Sequence, residues 1–177
     1  MEAPDEELML AYRDGNAGAF EALYTRHRGR LYRFVLRSVK MRGTAEELFQ
    51  EVWIRVIEAR DRYTPQARFT TWLYTIAHNL LTDHWRRKGL TLVELDEDVH
   101  APAPDDPARS AEARQALSRF AAALEALPPL QRQAFLLHEE GGLSIAEIAQ
   151  ATGSNEEAAK SRLRYAMAKL KLALDDG

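Results

Sequence analysis

Apolar residues recur every three or four positions along nearly the whole chain, and strand-like alternation is scarce. A repeat of three to four residues brings side chains to one face of an α-helix. The repeat is clearest after Gly43, where apolar residues fall in pairs four apart: Leu48 and Phe49, Val52 and Trp53, Val56 and Ile57. The periodicity therefore predicts an all-α protein.

One segment interrupts the helical pattern. Residues 89–110 contain three prolines and a run of acidic side chains, a composition that buries little apolar surface. The net charge of residues 91–127 is −5, whereas the whole chain carries only −3. We interpret 89–110 as a flexible acidic linker that joins two small helical domains, 1–88 and 111–177.

Three Ser/Thr-x-x-Glu sequences predict helix starts, because the hydroxyl and the carboxylate each accept a free backbone N–H of the first turn. They are Thr44 with Glu47, Ser144 with Glu147, and Ser154 with Glu157. The last two predict a short helix that ends near Gly153 and a longer one that follows it. Two helices joined by such a tight turn are typical of a helix-turn-helix.

The last helix has the layout of a helix that reads DNA. Its apolar stripe consists of Ala159, Leu163, Ala166, Leu170 and Ala173. The opposite side carries Glu157, Ser161, Arg164 and Tyr165, with Lys160 and Arg162 on the flanks. Polar groups in the middle suit base edges, and cations at the sides suit the phosphates of both groove walls. An ordinary helical hairpin is the alternative interpretation.

Two patterns in the first domain allow two interpretations each. Glu47, Gln50, Glu51 and Glu58 share one face of the third helix, which is either a solvated face or a docking surface for a basic partner. Residues 68–88 combine aromatic side chains with flanking cations, a composition that suits unstacked bases and phosphates. The alternative is that Trp72 and Trp85 belong to the core.

Composition excludes several classes of function. The chain has no cysteine, so it has no disulfide, thiolate zinc site or thiol nucleophile, and its histidines lack the spacing of a zinc helix. We therefore expect no metal and no catalytic residue. No apolar run approaches the ~20 residues that span a bilayer, and the acidic N-terminus does not resemble a signal peptide. We expect a cytoplasmic protein without a membrane span.

Three stretches together resemble the extracytoplasmic-function sigma factors of the sigma-70 family. They are residues 44–53, residues 69–79 with Arg86 and Arg87, and residues 127–163 with the sequence Lys160-Ser161-Arg162. The resemblance implies a non-enzymatic subunit without a cofactor that gives RNA polymerase its promoter specificity. The implied partners are core RNA polymerase, through the clamp helices of its largest subunit and its flap, promoter DNA, and an anti-sigma factor.

The resemblance also implies roles for individual residues. Contact with core polymerase is expected at Glu46, Glu47, Gln50 and Glu51. Recognition of the −10 element is expected at Arg68, Phe69, Trp72, Thr75, Asn79, Arg86 and Arg87, with Asn79 at a position that contacts a flipped base. Recognition of the −35 element is expected at Ser144, Glu157, Ala158, Lys160, Ser161, Arg162, Arg164 and Tyr165. The chain departs from the family pattern at Glu156, Glu157, Ala159 and Tyr165. The resemblance therefore does not imply which base sequence the −35 element has.

Two further hypotheses concern charge. The acidic linker could mimic nucleic acid inside the positively charged channel of the polymerase. Because the net charge is negative, we also expect the isolated chain to bind promoter DNA poorly. The competing classes are a stand-alone helix-turn-helix regulator, for which no dimer helix is evident, and a helical adaptor that binds only protein.

Overall fold

The computed structural model describes residues 2–96 and 112–175, and it is all-α throughout these ranges. The first group of helices comprises α1 (Asp5–Arg13), α2 (Ala17–Val39), α3 (Arg42–Ala59), α4 (Phe69–Arg87) and α5 (Leu92–Asp96), with a 3₁₀ turn at Arg60–Arg62. The second comprises α6 (Glu112–Ala126), α7 (Pro129–Glu139), α8 (Ile145–Thr152) and α9 (Glu156–Asp175). The prediction of an all-α chain is confirmed. Residues 97–110 of the predicted linker lie outside the described residues.

The first four helices surround an apolar core. α2 packs against α1 and α3, and α3 packs against α4. The stripe predicted on α3 is largely buried, although Ile57 at its edge is 40% exposed. The indole of Trp53 meets the rings of Tyr24 and Phe49 edge-on, at centroid distances of 5.1 and 6.4 Å. Aromatic edge-to-face packing of this kind fixes the crossing of α2 and α3.

Helix α7 is the centre of the second group. It packs against α9, α8 and α2, so that Ala134, Leu136 and Leu137 are almost completely buried. The predicted stripe of α9 faces this core, with Ala159 and Ala166 fully buried. Gly153 adopts a left-handed conformation (φ 65°) between α8 and α9, and glycine takes this conformation without steric cost. The predicted helix-turn-helix is therefore present.

One of the three predicted capping boxes is confirmed and two are wrong. Ser144 and Glu147 form a complete box at the start of α8. α3 instead begins at Arg42, because a left-handed Lys40 (φ 66°) and an extended Met41 already connect it to α2. α9 is capped by Asn155, whose side chain accepts the N–H of Ala158 at 2.8 Å. Asparagine is as good an N-cap as serine, and its position fits the observed turn.

A short helix lies within the segment interpreted as linker. α5 packs against α7, and its Leu95 is fully buried. Composition could not predict this contact, because the apolar run Leu92, Val93 and Leu95 is too short to show a helical period and precedes an acidic, proline-containing stretch. The chain that leaves the first group is thus attached to the second before it reaches residue 97.

Replacing Leu95 with alanine tests whether α5 is docked. We expect Leu95→Ala to lower the free energy of unfolding by about 2 kcal/mol, because it removes a fully buried side chain from a small contact. Leu92→Ala, at a position that is 50% exposed on the same helix, is the matched control and should change little. Urea denaturation measures both variants, and equal effects of the two would contradict docking.

Candidate nucleic-acid interface

Helix α4 and its N-cap residue carry the side chains predicted to read the −10 element. These side chains differ in their exposure to solvent. Asn79, Arg86 and Arg87 are exposed, and Thr75 is half-buried. Phe69 is fully buried and Trp72 is half-buried. The Trp72 ring lies 5.0 Å from the ring of Tyr63 and 5.9 Å from that of Phe69. Phe69 therefore contributes to the core beneath the reading surface, whereas Asn79 and the arginines face solvent.

The start of α4 contacts the helix-turn-helix directly. Arg68 forms a two-pronged ion pair with Glu147 of α8, in which Nε and Nη2 donate at 2.6 and 2.9 Å. The hydroxyl of Thr71 donates to the same carboxylate at 2.7 Å. Hydrogen bonds from Arg68, opposed by burial and aided by Ser144 and Thr71, lower the pKa of Glu147 to about 2. One carboxylate thus caps α8 and joins the two groups of helices.

A second contact joins α2 and α4 to the end of α7. The carboxylate of Glu140 lies 3.3 Å from Nε of Arg33 and 3.4 Å from Nη1 of Arg37. The hydroxyl of Tyr74 donates to the backbone carbonyl of Glu140 at 3.4 Å. Both arginines are about half exposed, so each ion pair is weak.

A third contact is a buried polar chain. Nδ1 of His78 lies 2.9 Å from Oε1 of Gln133, whose amide donates to the hydroxyl of Ser38 at 2.6 Å. Arg132 donates to the backbone carbonyl of Ser38 at 3.1 Å. Burial lowers the pKa of His78 to about 4, although the hydrogen bond to Gln133 opposes this shift. The imidazole is therefore neutral at pH 7, and Nδ1 carries the proton that it donates to Gln133.

Helix α9 presents most of the side chains predicted to read the −35 element. Glu157, Lys160, Arg164 and Tyr165 are exposed, whereas Ala158, Ser161 and Arg162 are half-buried. Ser144 is exposed at the start of α8. Nε of Arg162 donates to the carboxylate of Asp96 in α5 at 3.1 Å. An acidic side chain of the predicted linker therefore pairs with one of the α9 cations that are predicted to contact DNA.

The two predicted reading surfaces border a single cleft of about 940 Å³. Asn79 and Arg86 line it from α4, and Gly153, Ser154 and Arg162 line it from the helix-turn-helix. Its cations are partly neutralised within the chain, since Arg86 lies 3.6 Å from Asp83 and Arg162 pairs with Asp96. The described arrangement is closed, in that Asn79 and Arg86 of α4 and Arg162 of α9 line the same cleft, whereas Lys160, Arg164 and Tyr165 are exposed outside it.

The face of α3 predicted to bind core polymerase points away from the apolar core. Glu46, Glu47 and Gln50 are exposed. Glu51 forms an ion pair with Arg55 one turn later, at 3.1 Å. The described residues contain no group of three or more His, Asp and Glu side chains placed to hold a metal ion. Within the same ranges, no helix has the length and apolarity needed to cross a membrane.

The contact between the two groups of helices was not predicted from the sequence. Its strongest signal is in α7, where Gln131, Arg132 and Gln133 stand beside an apolar stripe but are almost completely buried. Buried polar side chains need partners. Arg132 and Gln133 find some of theirs across the contact, at Ser38 of α2 and His78 of α4. Periodicity treats such residues as solvent-facing, and hence α4 was predicted with one buried side only.

Comparison with known proteins identifies the family. The family model for Sigma-70 region 2 matches residues 23–91, and that for Sigma-70, region 4 matches residues 117–170. The RNA polymerase sigma factor CarQ of Myxococcus xanthus is 36% identical over 172 residues, which cover 95% of this chain and 96% of CarQ. The ECF RNA polymerase sigma factor BldN of Streptomyces coelicolor is 34% identical over 176 residues, which cover 96% of this chain and 66% of BldN.

Solved structures share the arrangement of helices. CnrH in complex with the cytosolic domain of CnrY matches with a TM-score of 0.71 and 26% identity, over 97% of each chain. RpoE in complex with the anti-sigma factor NepR from Bartonella quintana matches with a TM-score of 0.67 and 22% identity, over 88% of this chain and 96% of RpoE. The second match supports the fold alone. Regions 2 and 4 in this order on one helical chain define a sigma factor of RNA polymerase. The chain belongs to the sigma-70 family, in its extracytoplasmic-function group.

Removing two carboxylates should loosen the contact between the two groups of helices. We expect the double variant Glu140→Gln with Glu147→Gln to have a radius of gyration several ångströms larger, because Arg33, Arg37 and Arg68 lose their charged partners. Glutamine at 147 still serves the capping box. The control is Glu139→Gln with Glu156→Gln, which changes the charge equally at exposed sites. Small-angle X-ray scattering measures both, and an unchanged radius in the first variant would contradict the ion-pair account.

Neutral His78 makes stability depend on pH. Its folded pKa of about 4 lies below the ordinary 6.5, so the unfolded chain binds more protons between these values and stability falls as the pH drops from 6.5 towards 4. For each extra proton bound by the unfolded chain, the free energy of unfolding changes by about 1.4 kcal/mol per pH unit.

Urea denaturation from pH 7 to pH 5 measures this dependence. We expect His78→Asn to flatten the slope, whereas His138→Asn, at an exposed position of α7, should leave it unchanged. Equal slopes in the wild type and His78→Asn would show that His78 is not held neutral.

Proposed function

We propose that this protein binds core RNA polymerase and directs initiation from specific promoters by reading their −10 and −35 elements. The observation that carries the proposal is the presence of both sigma regions in one chain, matched at residues 23–91 and 117–170. As a subunit that guides the polymerase, it performs no chemistry of its own and needs no cofactor. It acts in the cytoplasm, where bacterial DNA is transcribed.

The domain assignment follows the same division. We assign core binding, −10 recognition and melting to residues 1–88, the linker to 89–110, and −35 recognition to 111–177. The exposed carboxylates of α3, Glu46 and Glu47, suit a basic docking surface on the clamp helices and, with Gln50 and Glu51, form the proposed core contact.

The proposed −10 contacts divide by burial. Asn79 has one acceptor and one donor group on its amide, which suits the edge of a base that has left the stack. Arg86 and Arg87 are exposed beside it and suit phosphates. Arg68 and Thr75 border the same side of α4. Phe69 and Trp72 support the surface through the aromatic cluster with Tyr63.

The proposed −35 contacts lie on α9 and at the start of α8. Lys160 and Arg164 are exposed cations for phosphates or bases, and Ser161 lies between them on the helix. Arg162 has to leave Asp96 before it can meet DNA. The remaining members of the set are Ser144, Glu157, Ala158 and Tyr165.

Promoter geometry requires the closed arrangement to open. The −10 and −35 elements are about 25 base pairs apart, roughly 85 Å along B-DNA. A compact chain of this length has a radius of gyration of only about 16 Å. The reading surfaces of α4 and α9 border one cleft in the closed form, so they cannot reach both elements until the contacts at Glu140 and Glu147 separate.

An anti-sigma factor is the proposed inhibitory partner. CnrH, which resembles this chain over 97% of its length, is in complex with the cytosolic domain of CnrY. A partner that binds both groups of helices would hold the closed form and keep α4 from promoter DNA. The pairing of Asp96 with Arg162 also fits the hypothesis that the acidic linker mimics nucleic acid, while its residues 97, 98, 105 and 106 lie outside the described ranges.

Transcription from a genomic DNA library tests the function directly. Added to sigma-free core polymerase, the wild-type chain should initiate at a discrete set of promoters. We expect Asn79→Ala to change the −10 preference and Ser161→Ala to change the −35 preference, because each removes a side chain proposed to read bases. Ser118→Ala, at an exposed position of α6, is the control.

Two outcomes would contradict the proposal. A chain that neither binds core polymerase nor initiates anywhere is not a sigma factor under these conditions. A chain that binds tightly to promoter duplexes without polymerase, in a salt-sensitive manner, is a stand-alone regulator instead.

A further inference from the structure

Helix α1 holds both ends of the segment that leads into the proposed −10-reading helix. At one end, Oε2 of Glu6 accepts the backbone N–H of Phe69, the first residue of α4, at 2.8 Å. At the other end, Nη1 of Arg13 donates to the backbone carbonyl of Tyr63 at 3.3 Å. Residues 63–69 are therefore tied at both ends to a helix that itself carries no residue proposed to touch DNA.

The contact from Glu6 provides a hydrogen-bond acceptor that the N-terminus of α4 otherwise lacks. The N-cap residue of α4 is Arg68, whose side chain makes no cap hydrogen bond. The first turn of a helix has free N–H groups, and arginine has no acceptor atom with which to satisfy them. Glu6 supplies the acceptor from a distant part of the chain, and its negative charge also suits the positive end of the α4 dipole. Glu6 thus acts as a tertiary cap of α4.

Helix α1 is itself firmly attached to the bundle. Met9 is fully buried, and the Tyr12 ring lies 4.9 Å from that of Phe20 on α2. Asp5 accepts a hydrogen bond from Arg26 of α2 at 2.7 Å. The guanidinium of Arg60 lies 5.2 Å from the centre of the Tyr12 ring, just before the tied segment. Because α1 is attached at all these points, it can fix the position of residues 63–69.

The negative charge of α1 also acts on this segment. Burial, and then the carboxylates of Glu6 and Asp5, raise the pKa of Tyr63 to about 12. Tyr63 packs against both Phe69 and Trp72, with ring centroids 6.5 and 5.0 Å away. Tyr63 and the start of α4 therefore pack together, and α1 holds both of them.

We propose that Glu6 is a positioning residue for −10 recognition: it holds the start of α4, and through it Arg68 and the reading face of α4, at the angle that promoter melting requires. Arg13 holds the other end of the same segment. The inference rests on the proposed function, because it presupposes that α4 reads the −10 element. It predicts that substitution of Glu6 impairs −10-dependent melting more than it impairs core binding or −35 recognition.

Three variants of the full-length chain test this in the holoenzyme. Glu6→Ala removes the acceptor. Glu6→Gln keeps an acceptor oxygen for the N–H of Phe69. Glu7→Ala removes the neighbouring carboxylate, which is exposed, and serves as the matched control. Each is assembled with core polymerase on a promoter selected from the genomic library, with Asn79→Ala as the reference for a −10 defect.

The measured quantities are the affinity for core polymerase, the rate of open-complex formation on duplex promoter, and the rate on the same promoter with a pre-melted −10 element. We expect Glu6→Ala to slow opening of the duplex about tenfold, the loss that follows removal of one charge-assisted hydrogen bond. Core affinity should stay unchanged, and pre-melting should restore most of the rate. Glu6→Gln should recover most of the duplex rate, and Glu7→Ala should match the wild type.

The remaining outcomes overturn the proposal in distinguishable ways. If Asn79→Ala slows opening and Glu6→Ala does not, α4 reads the −10 element without help from Glu6. If Glu6→Ala weakens core binding and slows the duplex and the pre-melted promoter equally, Glu6 serves only the stability of the fold. If neither variant affects opening of the duplex, the proposed function of α4 is wrong and the positioning role is wrong with it.

Discussion

The described structure depends on one helix that is packed on two sides. α4 completes the first bundle through Leu73, Ala77 and Leu81, and with its other side it packs against α8 and hydrogen-bonds to α7. The first contact is apolar. The second is made by Arg68, Thr71, Tyr74 and His78, which meet carboxylates, a carbonyl and an amide. Polar contacts can be exchanged for water at small net cost, which fits the proposed separation of the second side.

This division explains how one chain is both compact and able to span a promoter. The ion pairs at Glu140 and Glu147 involve arginines that are about half exposed, and such pairs contribute little individually. Two paired arginines also belong to the proposed DNA contacts: Arg68, which pairs with Glu147, and Arg162, which pairs with Asp96. In the proposed promoter complex, DNA phosphates and an acidic side chain compete for the same guanidinium groups. The proposed contacts would therefore couple binding of DNA to separation of the two groups of helices.

Much of the fold could be predicted from periodicity and caps. The all-α class, the buried stripe of α9 and the Ser144–Glu147 box follow from local rules, and the structure agrees with them. The cap of α9 could not be predicted, because serine and asparagine are adjacent and the turn after Gly153 decides between them. The cap of α4 could not be predicted either, since Glu6 is more than sixty residues away. Local sequence carries no information about such a partner.

The candidate site divides in the same way. The exposed polar side chains of α9 and the exposed Asn79 were visible as patterns, and their reading roles remain predictions. The contact between α4 and the helix-turn-helix was invisible, because Glu147 already had a complete local explanation as a capping residue. Its second role with Arg68 and Thr71 appears only when the two groups of helices are placed together.

The distance between the two groups of helices, free and on a promoter, tests this account most directly. The chain has no cysteine, so spin labels at Glu21→Cys on α2 and Lys171→Cys on α9 would be unique. Pulsed electron paramagnetic resonance would then measure the distance between the two labels in the free chain and in the open promoter complex. The account predicts a single short distance in the free chain and an increase of several tens of ångströms on the promoter. The same short distance in both states, in a complex that initiates transcription, would contradict it.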